Sequence, residues 1–134
     1  MKLNDILNLY ELIKDIHIKE ISSSEDKYRL LKIFGILKDY NESFNKFKED
    51  AQNKIVSNKE EFEDKLKKSK EDEEAKKYVE NINSELTSLM IKELTSEKEF
   101  NIEKISKDSL IQLSSNNDFT LEQLNYIKHY IVEQ

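Results

Sequence analysis

The chain has 134 residues, 37% of them charged and 37% hydrophobic, and a formal net charge of −6. That length suits one domain, or a small domain with an extended arm, whose modest core must be carried on narrow apolar stripes. A single glycine and no proline argue against a turn-rich β fold, the lack of cysteine excludes disulfides and thiolate metal sites, and the negative balance with one arginine, Arg29, argues against nucleic acid as a partner.

The first element in chain order is a helix expected from Leu3 to His17. Leu3, Ile6, Leu7, Tyr10, Ile13 and His17 fall on one face at steps of three and four. Asn4, Asp5, Asn8 and Glu11 interrupt this stretch, so it has no signal-peptide core, and no run of about 18 apolar residues predicts a membrane span. The segment "SSSED" ends the pattern. Ser22 with Glu25, or Ser23 with Asp26, has the spacing of a capping box for the next helix.

The second helix carries the clearest periodicity. Leu30, Ile33, Leu37, Tyr40, Phe44, Phe47 and Ala51 form a heptad seam, flanked at its start by Leu31 and Phe34. Gly35 lies inside it, a position that suits either a close helix approach or a hinge. The segment 1–53 is therefore read as an N-terminal helix plus the first arm of a hairpin.

Beyond Ala51 the stripe thins to Ile55, Val56, Phe62 and Leu66. "KKSKEDEEAKK", residues 67–77, then offers one alanine and no larger apolar side chain. The span 54–77 reads as a solvated helical arm or a charged tip. A return helix is expected from Tyr78 through Val79, Ile82, Leu86, Leu89, Met90 and Leu94, which makes a long antiparallel hairpin.

In the remainder of 78–134, Phe100 and Ile102 at spacing two suggest a short strand or extended segment. "SKDSLIQL" predicts a helical turn capped by Ser106 that buries Leu110 and Leu113. "NDFTLEQLNYIKHYI" predicts a terminal helix with Thr120 as N-cap, Gln123 as its capping-box partner, and Phe119 with Leu124 as a staple. Its stripe is Leu121, Leu124, Ile127 and Ile131. The expected fold is mainly α, a single domain built on a helical hairpin, with this capped C-terminal unit folded over Leu30 to Leu37.

The residues carry little recognisable chemistry. His17 and His129 have no ligand partner at i+3 or i+4, and His17 is expected at a helix C-terminus. Glu71, Asp72, Glu73 and Glu74 are consecutive and so spray around a helix rather than converge on a cation. One glycine permits no phosphate-binding loop and no nucleophile elbow. No catalytic residue, cofactor or metal is expected. The aromatic residues are more telling: Tyr126 and Tyr130, four apart on the last helix, with His129 between them and Tyr10 on the first helix, are the candidate partner-binding residues.

Two stretches, "KYRLLKIFGILKDYNESFNKFKED" and "SELTSLMIKELTSEKEFNIEKISKDSLIQLSSNNDFTLEQLNYIKHYIVEQ", resemble in their order of elements a family of small tailed-bacteriophage proteins of unknown function. The resemblance covers most of the chain and supplies no catalytic or binding residues. It implies a role in virion assembly, phage replication or interference with the host. The favoured reading is a non-enzymatic virion component or assembly protein, in the virion or the bacterial host cytoplasm, and the long heptad seam suggests a protein partner, another copy of the chain or a larger phage assembly. Two other readings stay open at this point: a phage-encoded inhibitor whose acidic hairpin docks on a basic host surface, and a small enzyme using scattered carboxylates.

Overall fold

The computed structural model describes residues 1–56 and 59–134, and the chain within them is mainly helical. The helices are α1 (Leu3–Ile13), α2 (Ser24–Ile55), α3 (Lys59–Lys68), α4 (Glu73–Leu94), α5 (Lys107–Asn116) and α6 (Leu121–Ile131). Two compact units form, one from Met1–Asn41 with Glu97–Gln134 and the other from Glu42–Ser96, so α2 contributes its first part to one and its remainder to the other.

The first unit contains the larger core. Ile6, Leu9 and Ile13 of α1, Leu30, Ile33 and Leu37 of α2, Leu113 of α5, and Ile127 and Ile131 of α6 are buried together. The start of the α2 seam is thus covered by the C-terminal helices and by α1. The buried face of α1 runs through Leu9, while Leu7 and Tyr10 are only half-buried. The expected face is therefore rotated, because this short helix is covered from more than one side.

Helix α1 also ends earlier than its periodicity suggests. It stops at Ile13, and His17 lies in an exposed loop rather than at a helix C-terminus. In a segment without glycine or proline, side-chain amides hold the backbone instead. Asn117 accepts from the His17 N–H at 2.7 Å and donates to the His17 carbonyl at 2.8 Å. Gln112 accepts from the Ser22 N–H at 3.0 Å and donates to the Ser22 hydroxyl at 3.0 Å. Gln112 lies within α5 and Asn117 caps its end, so the loop after α1 is tied to α5.

Three helix starts follow from local chemistry. Ser106 accepts from the Ser109 N–H at 3.2 Å and opens α5. Thr120 accepts from the Gln123 N–H at 3.2 Å, and Gln123 accepts from the Thr120 N–H at 2.9 Å, a complete capping box. Asp72 accepts from the Glu74 N–H at 3.0 Å and opens α4. Each satisfies donors that the first turn leaves without a partner. Thr120→Ala is expected to lower stability by about 1 kcal/mol. Urea unfolding followed by circular dichroism checks this, and an unchanged midpoint would show that the box contributes nothing.

The run from Glu97 to Ile105 is non-helical and is anchored at both ends by the chain termini. Met1 and Lys98 exchange N–H to carbonyl hydrogen bonds at 2.8 and 3.1 Å. The Ile105 N–H donates to the Ile131 carbonyl and its carbonyl accepts from the Glu133 N–H, each at 2.9 Å. Tyr40 donates to the Glu99 carbonyl at 2.6 Å, so the α2 seam also holds this segment.

In the second unit α3 and α4 pack against one another. Buried residues here are Ala51, Val56, Ala75 and Val79. Phe44 and Phe47 are half-buried and stack with centroids 6.3 Å apart, with Lys48 over the Phe44 ring. They lie on the seam without reaching a core. The charged span expected over 54–77 contains α3 and the start of α4, which begins at Glu73 rather than Tyr78; its residues 57–58 lie outside the described residues. The acids Asp72, Glu73 and Glu74 occupy the N-cap and first turn of α4, where the helix dipole favours negative charge.

Gly35 does not mark a close helix approach. A methyl group placed there would meet nothing within 4 Å. Glycine therefore only costs α2 backbone entropy, and Gly35→Ala is expected to stabilise by about 0.5 to 1 kcal/mol. A rise in the thermal midpoint checks this; a fall would reveal a contact or hinge at that position.

Candidate functional site

The capped start of α6 sets the phase of the helix, and that phase decides which side chains leave the core. Ile127 and Ile131 point inward and are buried, while Tyr126 and Tyr130 are half-buried and His129 is exposed. The two tyrosine rings meet edge to face with centroids 4.9 Å apart. His129 meets Tyr130 in the same manner at 4.6 Å. Each aromatic ring in this cluster is thus held by its neighbour in a preferred geometry.

Tyr126 has its polar end committed inside the unit. Its hydroxyl donates to the Asp5 carbonyl at 2.9 Å and lies 3.4 Å from the Asp5 carboxylate. Burial pushes the Tyr126 phenol well above its usual value, and the negative charge of Asp5 adds to the effect. Burial likewise raises Tyr130, with Asp5 again contributing. The folded-state value of Tyr126 exceeds the unfolded one, about 10. Its contribution to stability is therefore complete below that pH and is lost as pH rises through the folded-state value. In an ultraviolet phenolate titration the last ionising phase is expected to disappear in Tyr126→Phe; its persistence would assign the phase elsewhere.

Two concavities share His129 and Tyr130. One, of about 430 Å³, is lined by Glu122, Asn125 and Tyr126 together with them. The other is a groove of about 870 Å³ whose walls include Lys32, Ile33 and Ile36 of α2 and Phe100 and Ile102 of the segment after α4. The structure thus brings Tyr126, His129 and Tyr130 together. Tyr10 is engaged differently, stacked on Phe34 of α2 with centroids 6.0 Å apart.

The polar centre of the same unit is Asp26, which sequence patterning offered only as a capping-box residue. Ser23 does accept from the Asp26 N–H at 3.1 Å. The Asp26 carboxylate, however, points to the start of α5. It accepts from the Ser106 N–H at 3.1 Å, the Ser106 hydroxyl at 2.8 Å and the Ser109 hydroxyl at 2.5 Å. Arg29 lies at 3.3 Å from its other oxygen and also pairs with Glu25 at 2.8 Å and Glu103 at 3.1 Å. The one arginine therefore sits among three carboxylates. Burial pushes the Asp26 carboxyl upward, but hydrogen bonds from Ser109, Ser106 and Arg29 outweigh that and hold it below the usual carboxylate range. With its oxygens engaged in this way, Asp26 acts as a junction between α2 and α5. The local signal for it was a lone arginine following two acids by three and four residues, which is the spacing of helical ion pairs.

Among the described residues, no three or more histidine or acidic side chains converge as a metal site would require. No helix among them is long and apolar enough to cross a membrane. No protein-family model, no curated protein and no solved structure matches the chain.

Proposed function

We propose that this chain is a non-enzymatic, helical protein–protein interaction protein, encoded by a phage and acting in virion assembly or as a virion component. The observation that carries the reading is the ordered cluster of Tyr126, His129 and Tyr130, with His129 exposed and Tyr130 shared by two adjoining concavities. Tyrosine is favoured at the centres of protein interfaces because it brings a large, stiff surface with a polar tip. Here the rings are already fixed by packing and by the Tyr126 hydrogen bond to Asp5, so little side-chain freedom is lost on docking. The phage origin rests on the similarity in element order. The long antiparallel hairpin of α2 with the return helix α4, as scaffold, belongs to the same proposal, as does a place in the virion or the host cytoplasm.

A photo-crosslinking amino acid at His129, compared with one at exposed Asp108 of α5, tests this in bacterial lysate and in the purified protein. The expected result is an adduct of discrete mass, with a second copy or another protein, from position 129 and not from 108. Equal adducts from both positions, or none, would overturn the reading.

A further inference from the structure

The larger groove has a feature that its aromatic rim does not explain. Five consecutive residues, Phe100 to Lys104, line it without helical structure. Among the described residues, none of their backbone N–H or carbonyl groups has a hydrogen-bond partner within the protein. The segment is nevertheless held in place: Lys98 is paired with Met1 on one side of it and Ile105 with residues 131 and 133 on the other. Phe100 and Ile102 are half-buried while Asn101 and Glu103 are exposed, the alternation of an extended chain. An anchored, extended segment with open backbone groups is what a strand-adding partner requires.

The charge of the groove selects among extended partners. Besides Arg29, its lining includes Lys32, Lys98 and Lys104 against Glu99 and Glu103, more cations than acids in a chain whose net charge is −6. Arg29 is consumed by its three carboxylates, whereas Lys32, whose ammonium lies 4.8 Å from the centroid of the exposed Tyr28 ring, and Lys104 are both exposed. Half-buried Ile36 of α2 supplies apolar lining, with buried Ile33 behind it. Resting on the interaction role proposed above, we propose that this groove binds an extended, acidic peptide segment of a partner protein, which pairs its backbone with residues 100–104. Its alternate side chains lie on Ile36 and Tyr130, and its carboxylates reach Lys32 and Lys104.

The probe is a capped heptapeptide of alternating glutamate and valine, added to the full-length protein. Amide exchange and chemical shifts report each backbone position. Saturable binding with slowed exchange among Phe100 to Lys104 is expected, weakening as salt is raised. The same peptide with lysine for glutamate, and one with every backbone amide N-methylated, should bind at least tenfold more weakly. Lys32→Glu combined with Lys104→Glu, both at exposed positions, should weaken the acidic peptide to a similar degree while leaving the thermal midpoint in place. Equal binding of the acidic and basic peptides, equal binding of the N-methylated peptide, or no change among residues 100–104 would each overturn the proposal. Slowed exchange of those amides with rising protein concentration alone would overturn it in favour of a second copy as occupant. A specific adduct at His129 without peptide binding would sink strand addition and leave the interaction role standing, and peptide binding without that adduct would do the reverse.

Discussion

Asp26→Ala is expected to destabilise the unit formed by Met1–Asn41 and Glu97–Gln134 by about 3 to 5 kcal/mol, since a buried donor left without its acceptor costs about 1 to 3 kcal/mol and the donors of Ser106 and Ser109 all turn to this carboxylate. Asp26 is 3% exposed. Its removal strips the Ser106 N–H and the Ser109 hydroxyl of their acceptor at the start of α5, and leaves Arg29 facing only the solvent-exposed Glu25 and Glu103. Since whole domains are stable by only about 5 to 15 kcal/mol, the variant should be close to unfolding at room temperature. Urea titration by circular dichroism measures the loss. A value near that of a surface ion pair, under about 1 kcal/mol, would mean that water replaces the carboxylate at no penalty.

The same residue makes stability depend on acid. The folded-state value for Asp26 lies below the unfolded one, about 3.9. Its contribution is therefore full above that pH and is lost as pH falls through the folded-state value. The difference in stability between the native chain and Asp26→Asn should accordingly be largest near neutrality and should shrink on acidification below about pH 4. A constant difference across that range would show that the charge on Asp26 is immaterial to the junction.

Leu37→Ala has the next largest expected effect, a loss of about 2 to 5 kcal/mol. Leu37 is fully buried, in the cluster where α1, α2, α5 and α6 converge. Truncation forfeits its burial and opens a cavity that neighbouring isoleucines, with stiff branched side chains, fill poorly. The loss should appear in the urea midpoint with an unchanged slope. Loss below about 1 kcal/mol would place Leu37 at a site able to collapse around the gap. Leu31, on the flank of the same helix, is 63% exposed, and Leu31→Ala serves as the control that should leave stability nearly unchanged.

Much of the helical architecture was legible in local spacing. The α2 seam puts Leu30, Ile33 and Leu37 in the core because steps of three and four keep side chains on one face whatever that face meets. The starts of α5 and α6 were legible because a cap is made by residues three apart, without help from the rest of the chain. Helix α4 starts before Tyr78, and that start was not legible because apolar periodicity cannot register an opening of two acids and two lysines around one alanine, Ala75. The aromatic trio on α6 was partly legible: positions 126 and 130 must share a face, but only the structure shows how far Asp5 engages Tyr126.

What the sequence determined by itself is the mainly helical character, the buried stripe at the start of α2 and the capped starts of α5 and α6, since each depends on residues within about one or two turns of one another. Only the tertiary structure decided the rest. Leu9 replaces Leu7 in the core because α1 meets more than one neighbour, and His17 leaves the helix because Asn117, a hundred positions away, binds its backbone. Asp26 turns from capping its own helix to joining Ser106 and Ser109, and Phe100 to Lys104 come to face Lys32 and Tyr130. These pairings are chosen by which surfaces are left to cover once the helices exist. That choice is made by packing between distant segments, and no local periodicity encodes it.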